Sequence, residues 1–366
     1  MTACLGHDGS FENPSSSHSG GVRARRLVEE ARERIAALVN AAPHEIVFTS
    51  GATESNNLAI LGAFDADPRT RKHFVTTNIE HHSVLDTAHA LEARGINVTY
   101  LHCDSEGVVT PEQVLDALTD ATVLVSIMHV NNEIGVIQDI EAIAKACASR
   151  GVRLHVDAAQ SAGKIPLDLG GWGVGLCALT AHKAHGPKGI GALYIARGVA
   201  LAPLLHGGEQ ERGLRAGTLA THQIVGMGKA YDLARPERDG PHLAGLRDKL
   251  WRGLKRIEGV GLNGCPGRSA PHILNVCFPG IDGESLRLAI SDIAVSAGSA
   301  CASDTPEPSH VLSNLGLSDA LAQSSLRLSV GRFTEAADVE RAVARIGEEA
   351  ARLSMLTNQA PLWCSS

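Results

Sequence analysis

The chain has 366 residues, 44% of them hydrophobic and 20% charged, so wholesale disorder is excluded and one large or two unequal domains are expected. The balance of 33 basic against 40 acidic residues gives −7, which argues against a surface devoted to coating nucleic acid. No apolar run approaches the ~20 residues of a membrane helix, and the N-terminus lacks the positive and apolar regions of a signal peptide; a cytoplasmic protein with no direct nucleic-acid or membrane binding is expected.

In chain order, Val28, Ala31, Ile35 and Leu38 fall at helical spacing within residues 22–39. A β-rich run, Ile46–Phe48, leads through the Ser50-Gly51 turn into a second helix containing Leu58, Ile60 and Leu61. Further strands are predicted at Phe74–Thr76, Val98–Leu101, Val123–Met128, Leu154–Val156, Leu176–Leu179 and Gly191–Ile195, with helices near Leu85–Ala93, Pro111–Leu118 and Ile140–Ser149. Apolar strands alternating with helices indicate an α/β fold with a mostly parallel sheet covered on both faces. The polar stretch Ala234–Pro241 reads as a boundary. Beyond it lie a helix (Leu243–Ile257), strands near Ile273–Phe278 and Ser325–Val330, and a final helix from Glu335 to about Leu353. The expected division is a large domain over 16–235 and a smaller α/β domain over 236–366, with residues 1–15 packing on the latter.

In such sheets the ligand lies beyond the carboxyl ends of the strands. Chemistry collects there in this sequence. Gly51-Ala52-Thr53 opens a helix, where free backbone N–H groups, a hydroxyl and the helix dipole suit an anion. Asp157 and Gln160 follow one strand; Thr180, His182 and Lys183 follow the next. Each has a bland reading as a helix cap or solvated surface. Together on successive strands they suit a phosphorylated pyridine aldehyde: lysine for a Schiff base, aspartate for the ring nitrogen, hydroxyls and a helix end for phosphate.

Eight cysteines (Cys4, Cys103, Cys147, Cys177, Cys265, Cys277, Cys301 and Cys364) are scattered without a C-x-x-C, so neither a zinc ribbon nor a disulfide framework is expected. Most read as buried, reduced thiols. Cys301 is different, because SAGSACASDTPEP around it is small and polar, the composition of a flexible tether. Arg327 alternates with Leu326 and Leu328 and so points away from the leucine face.

The segments FTSGATESNNLAI (48–60), HVNNEIGVIQDI (129–140), HVDAAQSAGKIPLDL (155–169), AHKAHGPKGIGALYI (181–195), ERGLRAGT (211–218) and SAGSACASDTPEPSHVL (296–312) closely resemble the cysteine desulfurases of the NifS/IscS type. These are class V aminotransferase-like enzymes of the pyridoxal 5′-phosphate fold-type I group. The resemblance runs from about Gly9 to Arg332. It implies that Lys183 carries the cofactor, Asp157 partners the pyridine nitrogen and Gln160 the ring hydroxyl. Ala52, Thr53, Thr180 and His182 match the phosphate positions, and His81 matches an imidazole that stacks on the cofactor and moves protons. Asn132 matches a residue near the cofactor hydroxyl and the substrate carboxylate, and Arg327 resembles the carboxylate clamp. Thr218 matches a residue that reaches the neighbouring subunit's phosphate, which implies a homodimer with shared active sites.

The implied reaction takes sulfur from L-cysteine onto Cys301 as a persulfide and leaves L-alanine. The sulfur then passes to a protein acceptor or scaffold, for iron–sulfur assembly, tRNA thiolation or DNA phosphorothioation. A selenocysteine lyase or other β-eliminating lyase is a second reading, against which the Cys301 loop argues, and a weakened subunit that docks a sulfur-transfer partner is a third. Glu209 departs from the family's H-G-G-G run.

Overall fold

Ala24, Val28, Ala31 and Ile35 are buried along one face of α1 (Ser19–Leu38), whose start is capped by the His18 imidazole accepting the Gly21 N–H at 3.2 Å. The structure, a computed structural model, describes residues 1–6, 9–296 and 308–358. After α1 the chain alternates through β1 (Ile46–Thr49), α2 (Ala52–Ala66), β2 (His73–Thr77), α3 (His82–Glu92), β3 (Asn97–Leu101), α4 (Pro111–Ala117) and β4 (Thr122–Met128). It continues through α5 (Ile140–Ser149), β5 (Arg153–Asp157), α6 (Leu169–Trp172), β6 (Leu176–Thr180), β7 (Gly191–Ile195) and α7 (Thr221–Leu233).

These seven strands form one sheet in the order β1-β7-β6-β5-β4-β2-β3. Strand β7 runs antiparallel to both its neighbours, β1 and β6, and the remaining pairings are parallel. This is the mostly parallel sheet expected from the strand–helix alternation. Strands β4, β6 and β7 are buried along their whole length, as a sheet covered by helices requires. On one face Phe64 of α2 meets Phe74 of β2 edge-on, with ring centroids 5.8 Å apart. Burial of each such side chain is worth about 1.5–3 kcal/mol. Helices α1 and α7 touch at Gly228, where an added Cβ would lie 2.6 Å from the Ala31 Cβ.

The described chain divides into two units. The first comprises Met1–Leu101, Val109–Val130 and Gln138–Glu237; the second His102–Val108, Asn131–Ile137 and Arg238–Ser366. In the second, β8 (Gly261–Leu262), β9 (Ile273–Cys277) and β10 (Ser325–Ser329) form an antiparallel sheet in the order β10-β9-β8. Helices α8 (Pro236–Leu254), α9 (Gly283–Ala289), α10 (His310–Asn314), α11 (Asp319–Gln323) and α12 (Ala336–Asn358) accompany it. Leu250, Leu254, Val276, Leu326, Leu328 and Ile346 join in its core.

Three features differ from the sequence reading. The boundary does fall within 234–241, between Glu237 and Arg238, but the breaker-rich stretch is helical there: Pro236 opens α8, where a missing N–H costs little, and Pro241 lies inside the helix. Residues 131–137 cluster with the second unit because their backbone is bonded to it; Ile137 N–H donates to Arg268 O and Ala270 N–H to Gly135 O, both at 2.7 Å. The N-terminal residues belong to the first unit, where Met1 packs against Gly226 of α7 and Glu12 against the start of α1.

Candidate active site

The parallel strands end along one edge of the first unit, and their register brings distant segments together there. Met128 ends β4 opposite Asp157, which ends β5; Asp157 in turn lies opposite Ala178 of β6. One step on, Thr180 and Thr49 both pair with Gly191, so the ends of β6 and β1 flank a single glycine of β7. A Cβ on Gly191 would come within 2.6 Å of the Gly51 Cα, so this glycine is what lets the turn before α2 lie against the sheet.

Asp157 is buried. Its Oδ2 accepts an N–H of Asn56 at 2.8 Å and its Oδ1 the Ala159 N–H at 2.9 Å. An acceptor-only carboxylate requires the Asn56 amide to present nitrogen, and the same nitrogen also donates to Ser83 Oγ at 2.8 Å. The Ser83 hydroxyl then has its own proton for His81 Nδ1, 2.9 Å away, and the Ser83 N–H points to the same nitrogen at 3.1 Å. His81 therefore serves as the cap of α3 with Nδ1 accepting, which leaves the ring proton of the neutral imidazole on Nε2.

At the end of β6, Thr180 Oγ1 lies 2.9 Å from His182 Nδ1, and Lys183 follows in a short 3₁₀ turn. The His182 imidazole is pushed below its ordinary value by burial and then by the charges of Lys183, Lys188 and Lys164. That clustering of ammonium groups favours an anion. Helix α2 starts without a side-chain cap, so the first N–H groups after Gly51 remain available beside half-buried Ala52 and exposed Thr53. Lys164 Nζ donates to Gln160 Oε1 at 3.3 Å, which turns that amide so its N–H groups face elsewhere. Together these groups fit pyridoxal 5′-phosphate by donor type: a buried carboxylate for a ring nitrogen, amide N–H groups for a phenolic oxygen, hydroxyls and a helix start for phosphate, and an amine for the aldehyde.

The loop carrying Thr218 is tied to the first unit by two ion pairs. Arg32 binds both oxygens of Glu211 at 2.8 Å in a buried fork, and Arg215 meets Glu54 at 2.9 Å. Burial works to raise the Glu54 carboxyl, but the bonds from Arg215 and Ser50 outweigh it and hold the group below its usual range. Thr218 itself is exposed.

Asn132 and Arg327 belong to the second unit. There Arg327 donates to Asn132 O at 2.9 Å, and its backbone N–H bonds Ser296 O at 3.0 Å. Asn132 Oδ1 is buried without a hydrogen-bond partner among the described residues. Ser309 donates to Glu133 Oε2 at 2.5 Å, so Ser296 and Ser309, on either side of residues 297–308, both bond within the Asn132–Glu133 and Arg327 group. Cys301 lies outside the described residues. Six other cysteines are described: Cys4, Cys147, Cys177 and Cys277 are buried, and Cys103 and Cys265 half-buried. Burial pushes the Cys103 thiol up to about 11 and Cys147 up to about 12, so neither offers a thiolate.

Sequence reasoning missed Asn56, Ser83, Glu80 and Lys164. Asn56 and Ser83 look like ordinary helix polar residues, and only their burial marks them. Buried His129 and His155 are the opposite case. Burial pushes them down to about 4 and about 3, and they are neutral core histidines.

The family model "Aminotransferase class-V" matches residues 7–342. "Cysteine desulfurase IscS" of Vibrio atlanticus (strain LGP32) is 50% identical over 99% of this chain and 90% of its own length. Among solved structures, "NIFS-LIKE PROTEIN" is similar with a TM-score of 0.88 and 36% identity, covering 94% of this chain and 93% of that one. "SspA in complex with cysteine" is similar with a TM-score of 0.79 and 38% identity, covering 89% of this chain and 92% of that one.

Proposed function

We propose, for a chain that belongs to the aminotransferase class-V family and acts as a pyridoxal 5′-phosphate-dependent cysteine desulfurase, that Asp157 holds the cofactor's ring nitrogen and Lys183 its aldehyde. Carrying this reading is buried Asp157 at the end of β5, its two oxygens already oriented by Asn56 and Ala159, with Lys183 in the turn after the adjacent strand. Bound there, the cofactor supplies an electron sink for the carbons of an amino acid.

The chain's own residues divide the remaining work. Thr53, Thr180, His182 and the N–H groups after Gly51 hold phosphate, and Gln160 donates to the ring hydroxyl. Arg327 and Asn132 bind the carboxylate of L-cysteine, with the guanidinium suited to a two-pronged grip. Lys183 Nζ takes and returns the substrate's α-proton, and His81 passes protons through Nε2. Cys301 attacks the substrate sulfur; the carbon–sulfur bond breaks, a sulfur–sulfur bond forms, and the products are L-alanine and a Cys301 persulfide. A protein acceptor then takes that sulfur. The working form is a cytoplasmic homodimer in which Thr218, on its pinned loop, reaches the neighbouring subunit's phosphate.

Replacement of Cys301 tests this reading. Cys301→Ser should still bind pyridoxal 5′-phosphate and change its absorption on adding cysteine, while alanine release falls at least about 100-fold, since a hydroxyl is a poor nucleophile toward sulfur. Mass spectrometry of the wild type after brief exposure to cysteine should place the added sulfur on the Cys301 peptide. Alanine release that survives in Cys301→Ser would point to a lyase that frees sulfide; a wild type that binds no cofactor would point to a docking subunit.

A further inference from the structure

Glu80 immediately precedes His81 and is fully buried. Its Oε1 accepts the Thr77 hydroxyl at 2.8 Å and the Met128 backbone N–H at 2.9 Å. Thr77 ends β2, and Met128 ends β4 directly opposite Asp157. One carboxyl oxygen thus joins the strand leading to His81 to the residue beside Asp157. The span is short, because only His81 separates Glu80 from the start of α3.

Two carboxyl groups therefore share this strand end, and burial makes a second negative charge expensive. Both oxygens of Asp157 accept N–H donors, from Asn56 and Ala159. Glu80 is pushed up to about 8 by its burial, against the pull of its two hydrogen bonds, and the Asp157 charge pushes in the same direction as burial. Near neutral pH the proton therefore rests on Glu80.

We propose that Glu80 is a positioning residue held as a neutral acid, which sets His81 relative to Asp157 through the Thr77 and Met128 bonds. Its kinetic consequence rests on the role proposed above for His81 and Asp157; its protonation state does not. The isosteric Glu80→Gln variant keeps a carbonyl acceptor and cannot ionise, whereas Glu80→Ala removes the clamp.

The experiment uses the full chain with its cofactor, at neutral pH. Infrared difference spectra of wild type against Glu80→Gln should show a protonated-carboxyl carbonyl band in the wild type that the variant lacks. Steady-state kinetics with L-cysteine should give Glu80→Gln at least about a third of the wild-type kcat, and Glu80→Ala a kcat lower by roughly 10- to 100-fold with KM little changed, the scale of an ångström-level misplacement. Absence of the carbonyl band, or a Glu80→Gln variant as impaired as Glu80→Ala, overturns the proposal. So does an Ala variant with wild-type kcat. Should Glu80→Ala fail to fold, the band and the Gln kinetics still decide. Should the wild type release no alanine, the functional reading fails, and the infrared result alone decides whether Glu80 is the neutral acid.

Discussion

Replacing Arg32 by Met gives a sharp test of what holds the Thr218 loop. Arg32 is buried and donates to Glu211 Oε1 and Oε2 and to Ile46 O, each at 2.8 Å, while its guanidinium carbon sits 4.6 Å from the centre of the Phe48 ring. Glu211 is buried too, and it sits in the left-handed region at φ 48, a conformation that a non-glycine residue adopts only when held. Met would fill most of the volume yet leave Glu211 with one strong donor, the Phe48 N–H at 2.7 Å. Removing one partner of a buried pair costs about 3–5 kcal/mol, because the other charge is stranded. At about 2–4 °C per kcal/mol for a unit of this size, Tm should fall by roughly 6–20 °C in a thermal unfolding scan. The double variant Arg32→Met/Glu211→Leu should recover much of that loss, since no buried charge remains. A single variant within about 1 kcal/mol of wild type, or a double variant no better than the single, would refute the reasoning.

Two further outcomes follow from the site and core. Gly191→Ala puts a methyl group 2.6 Å from both the Gly51 Cα and the Leu179 carbonyl oxygen, and backbone atoms cannot step aside cheaply. Stability should drop by about 1–3 kcal/mol. Titrating the apoprotein with pyridoxal 5′-phosphate should show at least about tenfold weaker binding, because the start of α2 must move; wild-type affinity would count against that role for the turn. In the core, His155 stays neutral down to about 3, whereas an unfolded histidine takes its proton near ~6.5. As pH falls the unfolded state binds protons first, so this stability is full above ~6.5 and is lost on the way down to the folded value. Urea unfolding between about pH 6 and 4 should show a slope shallower by up to about 1.4 kcal/mol per pH unit in His155→Gln than in wild type, and equal slopes would show that His155 is not the buried neutral group described.

The placement of the candidate site's residues was legible in the sequence because strand-end chemistry is local. An apolar run such as Thr122–Met128 announces a buried strand, and Asp157, Thr180, His182 and Lys183 stand within a few residues of such runs. Parallel strands joined by helices must end on the same edge, so these residues could be assigned to one place without knowing strand order. Tertiary structure decided which neighbours each of them has. Thr49 and Thr180 reach the same edge, on either side of Gly191, only because β7 runs antiparallel between their strands. The donor that orients Asp157 is Asn56, 101 residues earlier, and the cation that grips Glu211 is Arg32, 179 residues earlier. Residues 131–137 read as a continuation of the large domain, yet their backbone bonds commit them to the second unit. Burial, which separates Glu80 and Asn56 from the solvated polar residues they resemble in the sequence, is a property of the packed sheet and helices together. Periodicity along one segment tells which side of that segment is apolar; it does not say what will cover a polar side chain, and that cover fixes its charge and its partners.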